Sequence, residues 1–167
     1  MPTATGERQF LRVMSNHHAR IARVAGPPSG IADGDLDAIN EYALSPLTAE
    51  QVIVRTAYLA NDQVDDRFTR TLPPAIDKIA TLLPGAPLMR NHDGREGHSE
   101  GLPVGRWFRG WTETDAAGAY WDVGKFYMVR TAKTEELAAQ MDGGVIDQVS
   151  INVWTLIRDL RCSVCNR

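Results

Sequence analysis

The sequence lacks an excess of basic residues, a long apolar run and an N-terminal hydrophobic signal core, and each absence excludes a class of protein. The net charge of −3 gives no electrostatic footprint for nucleic acid, which usually binds a basic domain. No apolar run approaches the roughly 20 residues that cross a bilayer. Without a signal core, export is not expected. We therefore expect a cytoplasmic protein that binds neither nucleic acid nor membranes.

Cysteine is also scarce, and both cysteines lie near the end of the sequence. Cys162 and Cys165 form a Cys-x-x-Cys pair. In a reducing compartment this spacing is more typical of half a zinc site than of a disulfide. No second Cys-x-x-Cys or His-x-x-x-His pair completes such a site, so a pair of free thiols is the alternative interpretation. We expect no other cofactor.

The remaining composition is that of an ordinary soluble globular protein. Apolar residues make up 43% of the chain and charged residues 23%. A length of 167 residues fits about one domain and is sufficient to bury a hydrophobic core.

The chain divides into three parts. Residues 1–47 are poorly organised and include a Gly/Pro-rich turn cluster at 26–30. Residues 48–158 form the expected core domain, and residues 159–167 form a tail that carries the cysteine pair. The predicted elements are a short helix within 32–44, a strand at 51–59, a helix at 74–83, strands at 87–91, 104–113 and 119–128, a helix at 131–141 and a last strand at 145–157.

Strands dominate this order, and the helices are inserted between them without a repeated βαβ rhythm. The tetrapeptide Asp115-Ala116-Ala117-Gly118 indicates a hairpin between two of the strands. The pattern predicts an α+β fold, built mainly from an antiparallel β-sheet or barrel with inserted helices.

Two chemically useful side chains stand at strand-like positions bordered by glycines. His92 follows a short apolar strand and precedes a Gly-rich polar loop, and Ser150 follows Gly143-Gly144 in the last strand. A histidine with a pKa near neutrality suits general-base catalysis, and a serine beside such a base is the minimum for nucleophilic hydrolysis. The non-catalytic alternatives are that His92 is a surface histidine and that Ser150 is only a structural residue of its strand.

A third, acidic group is expected to orient the imidazole. The candidates are Asp122, Glu113, Asp93 and Asp147. Asp122 is the best of them, because a carboxylate among the aromatic residues of a strand is costly unless it has a partner. The alternative is that Asp122 faces water on an edge strand. Glu113 and Asp147 are expected to be solvated.

Taken together, these segments resemble the prohead (capsid maturation) serine proteases of tailed phages, a family distantly similar in fold to the herpesvirus assemblins. The resemblance covers residues from about 50 to 155. It rests on an ordered series of motifs. These are Val54-Arg55-Thr56-Ala57-Tyr58-Leu59, Pro87-Leu88-Met89-Arg90-Asn91-His92-Asp93, Pro103-Val104-Gly105-Arg106, the hairpin, Gly143-Gly144 and Val149-Ser150-Ile151.

The resemblance implies an assemblin-like fold in which Ser150 is the nucleophile, His92 the general base and Asp122 the third member. It implies a serine endopeptidase that processes capsid and scaffold protein, and itself, inside the phage procapsid in the bacterial cytoplasm. A homo-oligomer is expected. The tail with Cys162 and Cys165 is similar to the start of a zinc-knuckle-like extension found in some relatives, and we expect it to be a truncated form of that extension.

Two other functions are compatible with the same residues. One is a catalytically inactive module of the same fold that binds scaffold or capsid protein during assembly. The other is a metal-dependent hydrolase that uses His92, His98 and the cysteines, although no ligand pair with metal-site spacing supports it.

Overall fold

The computed structural model describes residues 19–21, 30–64, 70–90, 102–149 and 151. Three α-helices lie in these ranges: α1 (Asp35–Asn40), α2 (Pro73–Leu82) and α3 (Ala132–Asp142). The six strands are β1 (Ala19–Ile21), β2 (Val52–Asn61), β3 (Pro87–Leu88), β4 (Gly105–Thr114), β5 (Tyr120–Val129) and β6 (Gln148–Val149). No helix in the described part of the chain has the length and apolar character needed to span a bilayer.

The strands form one sheet with the order β3-β4-β5-β2-β1-β6, and every neighbouring pair is antiparallel. The three ten-residue strands β4, β5 and β2 form its centre, whereas β3 and β6 lie at its two edges. The pairing register shifts once on β2 at Leu59 and once on β4 at Phe108. Such bulges bend a strand and increase its twist, so the central sheet curls.

The β4–β5 hairpin forms where the sequence predicts it. The Asp115 side chain accepts hydrogen bonds from the backbone N–H groups of Ala117 and Ala119, both at 2.9 Å. Gly118 adopts a φ of 84°, which glycine tolerates without strain. These local bonds close the turn and set the register of the two longest paired strands.

One face of the sheet is covered by α2 and α3. Ile76, Ala80 and Leu83 of the α2 segment are buried, as are Leu137 and Ala138 of α3. We call the apolar group on this face the first core cluster; its buried members are Ile53, Ala57, Leu59, Leu83, Leu88, Trp107, Phe126, Met128, Leu137 and Ala138. This cluster is the main hydrophobic core of the described domain.

The close approach of α2 depends on two glycines beneath it. A Cβ atom at Gly110 would overlap the backbone carbonyl oxygen of Ala80, and one at Gly124 would overlap the side chain of Leu83. Gly110 and Gly124 face each other across β4 and β5. The helix therefore rests on a strip of sheet without side chains.

The opposite face is covered by α1. Ile39 of this helix packs with Val52, Val54, Phe108 and Tyr127 in a second core cluster. Asp35, which is 2% exposed, pairs with Lys125 at 2.7 Å and with Arg109 at 3.1 Å. These two ion pairs fasten α1 to the centre of the sheet.

The observed architecture confirms the predicted α+β class with an antiparallel sheet and inserted helices. The helix predicted within 32–44 is shorter than that range, since α1 spans only Asp35–Asn40. The last predicted strand is ordered as a strand at Gln148–Val149, and most of its remaining residues lie outside the described ranges. The finer assignment of an assemblin-like fold stays a prediction.

We predict that Gly110→Ala destabilises the protein by about 1–3 kcal/mol, the usual cost of an added methyl group in a filled site. The methyl group would push Ala80, and with it α2, away from the sheet. Urea unfolding measures the change. Gly143→Ala is the matched control, because its nearest atom, the Ala139 carbonyl oxygen, is 3.2 Å from the added Cβ. Equal losses in the two variants would contradict the close-approach argument.

Candidate functional site

The residues predicted to carry the chemistry are divided between described and undescribed parts of the chain. His92, Ser150, Asp93, His98, Cys162 and Cys165 lie outside the described residues. Asp122, Glu113 and Asp147 lie inside them. The residues on either side of Ser150, and the strand before His92, are described as well.

The segments that lead to His92 and Ser150 reach the same core. Leu88, at the end of β3, is a buried member of the first core cluster. Val149 of β6 and Ile151 are half-buried and pack against that cluster. The two segments belong to opposite edges of the hydrogen-bonded sheet, and the curled sheet brings both against one hydrophobic core.

Asp122 lies in the middle of the sheet. On β5 it pairs with Ala60 of β2 on one side and with Thr112 of β4 on the other. Because side chains alternate along a strand, Asp122 shares a face with Gly124 and Phe126, the face that α2 covers. Its exposed fraction is 0%. The alternative that Asp122 faces water on an edge strand is therefore wrong.

The carboxyl group of Asp122 has no partner among the described residues. Neither of its oxygens receives a hydrogen bond there, although both are buried. Desolvation by burial raises the pKa of Asp122 from its ordinary value of 3.8 to about 7. Since a buried carboxylate is costly without compensation, the protonated form is the one that this environment favours.

The register separates Asp122 from the strand that leads to His92. Pro87 of β3 pairs with Arg106 of β4, which in turn pairs with Tyr127 of β5. At roughly 3.3 Å per residue, Tyr127 lies about 16 Å further along β5 than Asp122. On the other side, β2 and β1 separate β5 from β6. The role of Asp122 as the acid that orients His92 stays a prediction.

The other described acidic candidates have different surroundings. Asp147 is exposed in the loop before β6. Glu113 is half-buried and accepts hydrogen bonds from the Tyr58 hydroxyl and from the Trp111 indole N–H. The hydrogen bond to Glu113 raises the pKa of the Tyr58 phenol. The sequence predicts a solvated Glu113, but its carboxylate is hydrogen-bonded to two aromatic side chains.

An ion pair between a buried arginine and an exposed aspartate, which the sequence reasoning missed, anchors the chain before Ser150. Arg55 of β2 is 8% exposed and binds Asp142, at the end of α3, through Nε at 3.2 Å and Nη2 at 2.8 Å. Arg55 Nη1 also donates to the Val54 carbonyl oxygen at 2.8 Å. The sequence did contain a signal for this ion pair: an arginine within a mainly apolar strand requires a hydrogen-bonding or acidic partner when it is buried.

Backbone hydrogen bonds continue this anchor towards β6. The N–H groups of Val145 and Ile146 both donate to the Gln140 carbonyl oxygen, at 2.9 and 3.1 Å. Gly144 adopts a φ of 71°, which reverses the chain after the helix. The segment that enters β6 is therefore fixed to the end of α3.

The described residues contain no group of three or more His, Cys, Asp or Glu side chains that could hold a metal ion. The cysteine pair is outside the ranges to which this statement applies. Zinc binding by Cys162 and Cys165 stays a prediction.

Comparison with known proteins gives no relative for this chain: no family model, no curated protein and no solved structure matches it. The resemblance to prohead proteases therefore rests on the motifs of the sequence alone.

We predict that Asp122→Asn becomes more stable than the wild type as the pH rises. Well below pH 4 the Asp122 carboxyl of the wild type is protonated in both the folded and the unfolded protein. Between about pH 4 and pH 7 it is ionised in the unfolded chain but still protonated in the folded protein, so the unfolded state is favoured as the pH rises. The pKa difference implies that the advantage of the variant grows by about 3 kcal/mol between pH 4.5 and pH 8. Any cost of a buried, unpaired amide is the same at both pH values and cancels.

Urea unfolding of both proteins at the two pH values measures this growth. The exposed Asp37 serves as the control, because Asp37→Asn removes a carboxyl group that is not desolvated. A stability gap between Asp122→Asn and the wild type that stays constant with pH would show that Asp122 is charged in the folded protein.

Proposed function

We propose that this protein is a serine endopeptidase that cleaves capsid and scaffold protein segments, and itself, during the maturation of a phage procapsid. Ser150 is the nucleophile and His92 the general base. The observation that carries the proposal is the convergence of the two segments that hold these residues. Leu88, Val149 and Ile151 all pack against the first core cluster.

This convergence is what nucleophilic hydrolysis requires of the fold. A serine and a histidine distant in sequence must be brought within hydrogen-bond reach, about 2.6–3.2 Å between heavy atoms. A contiguous hydrophobic core draws together the segments that contribute to it. Leu88 precedes His92 by one short segment, and Val149 and Ile151 flank Ser150 directly.

The anchoring of the Ser150 segment also supports the proposal. The ion pair between Arg55 and Asp142 joins β2 to the end of α3, and the backbone bonds to Gln140 fix the following turn. A nucleophile that acts on a rigid scaffold requires this kind of support. The described chain is thus held firmly up to Val149.

The mechanism follows from the chemistry of the two groups. Ser150 Oγ attacks the carbonyl carbon of the scissile peptide bond, and His92 takes the hydroxyl proton. His92 then gives that proton to the leaving amine as the C–N bond breaks, and water releases the acyl group by the reverse sequence. Backbone N–H groups stabilise the oxyanion, an interaction worth about 3–4 kcal/mol per donor. The third member, which orients the imidazole, is Asp122 by the same resemblance.

The substrates are extended peptide segments of the capsid and scaffold proteins. An extended peptide can pair with an edge strand of a sheet, and β3 and β6 are the edge strands of the described sheet. We include in the proposal an assemblin-like arrangement of this sheet, a homo-oligomeric state and a location inside the procapsid in the host cytoplasm. Neither nucleic acid nor a membrane has a part in the activity.

We predict that Ser150→Ala lowers cleavage of a capsid precursor by several orders of magnitude, because the nucleophilic oxygen is removed. Gel analysis of precursor processing over time measures the effect. Ser45→Ala, a change at an exposed serine, is the matched control and is expected to process at the wild-type rate. Full processing by the Ser150→Ala protein would exclude Ser150 as the nucleophile.

Labelling with a fluorophosphonate separates the enzyme from an inactive assembly module of the same fold. The enzyme is expected to be labelled at Ser150 in the wild type and in Ser45→Ala, and unlabelled in Ser150→Ala. His92→Ala is expected to reduce the labelling rate, since the general base is lost. A folded protein that binds scaffold protein but takes up no label would support the assembly module instead.

A further inference from the structure

Two aspartates are buried in the described part of the chain, and their surroundings are opposite. Asp35, beneath α1, pairs with Lys125 and Arg109. Asp122, beneath α2, is equally buried and receives no hydrogen bond from the described residues. The negative charge of Asp35 is neutralised by these two basic side chains. No described residue compensates the charge of an ionised Asp122.

The charged side chains on the elements around Asp122 either bind other residues or are exposed to solvent. On α2, Asp77 accepts a hydrogen bond from the Tyr120 hydroxyl at 2.6 Å, and Lys78 is exposed. At the end of β2, Asp62 accepts from the backbone N–H of Tyr120 at 3.0 Å and pairs with Arg70.

On β4, the residue opposite Asp122 is the uncharged Thr112, whose hydroxyl lies 2.8 Å from the Tyr120 hydroxyl oxygen and can donate to it. Lys125 of β5 alternates to the other face of the sheet and binds Asp35 there. No described cation is therefore placed to compensate an ionised Asp122.

We propose that protonated Asp122 holds α2 on the sheet and that ionisation of Asp122 releases this helix, so that α2 acts as a pH-dependent cover. The helix is the element that yields, because β2 and β4 are joined to β5 by backbone hydrogen bonds along their whole length. By contrast, α2 contacts the sheet through the packing of Ile76 and Ala80 and the hydrogen bond between Asp77 and Tyr120.

Hydration is what drives the release. An ionised carboxylate on the α2-covered face has no partner among the described residues, and it reaches water when the helix that covers it is displaced. Over Gly110 the helix contacts the sheet mainly through the backbone of Ala80, whereas at its C-terminal end the Leu83 side chain packs over Gly124. The C-terminal end stays attached, because the Gly85 N–H donates to the Trp107 carbonyl oxygen at 2.8 Å.

The release has a consequence for the site, and this part rests on the proposed function. The chain runs from α2 through residues 83–86 directly into β3, the strand that precedes His92. Leu83 and Leu88 belong to the same core cluster. Release of the rest of α2 would therefore weaken the support that this helix gives to the packing of Leu83 against Leu88, while the turn itself stays attached, and we expect protease activity to fall as the pH rises.

Hydrogen exchange measured by mass spectrometry tests the inference directly. After correction for intrinsic exchange rates, peptides that cover α2 in the wild type should lose about ten- to a hundredfold of their protection between pH 5.5 and pH 8.5, because opening becomes about tenfold more favourable per pH unit until the buried carboxyl itself titrates. In Asp122→Asn this loss should disappear. Asp37→Asn, which removes an exposed carboxyl from α1, should behave like the wild type.

Equal protection of α2 in the wild type at both pH values would overturn the inference, as would the same loss in Asp122→Asn. If that variant does not fold, the ¹³C resonance of the Asp122 carboxyl in the wild type decides the matter. A midpoint near neutrality supports the inference. A carboxylate that is charged throughout the range above pH 5 overturns it and indicates a positive partner, such as an imidazolium. Because neither readout needs proteolysis, an inactive protein with pH-dependent protection of α2 would refute only the proposed function.

Discussion

Close packing of α2 on the three central strands is the constraint on which the rest of this structure depends. The helix approaches the sheet where Gly110 and Gly124 leave no side chains, and Leu83 then enters the first core cluster at the end of the helix. The short turn after it, held by the hydrogen bond between Gly85 and Trp107, leads into β3. The position of one helix thus sets the position of the edge strand.

The same packing imposes an electrostatic cost. A helix close enough to bury Asp122 completely also removes the water that would solvate its carboxylate. The fold compensates Asp35 on the other face with Lys125 and Arg109, so it has the means to neutralise a buried acid. An acid left without such compensation violates a local rule of stability, and residues of this kind are concentrated at functional or switching positions.

Elements with strong local signals could be predicted from the sequence. The β4–β5 hairpin depends on Asp115 and Gly118 within one turn, and the start of α3 is capped by Thr131, whose side chain accepts from the Thr134 N–H. Features that depend on strand order could not be predicted. Whether Asp122 lies on an edge or in the centre is decided by the pairing of β5 with both β2 and β4. The ion pair between Arg55 and Asp142 joins residues 87 positions apart, which no local pattern indicates.

The residues of the candidate site also differ in whether local sequence features can identify them. A nucleophile and a base can be nominated from residue type and flanking glycines, because these are local properties. The third group cannot be, because its role depends on what lies beside it in three dimensions. An acid that orients an imidazole must be ionised and hydrogen-bonded, whereas the described surroundings of Asp122 favour its neutral form. The two roles exclude each other at the same pH. Either an imidazole approaches Asp122 and keeps it charged, or the carboxyl stays protonated beneath α2 and the helix responds to its titration.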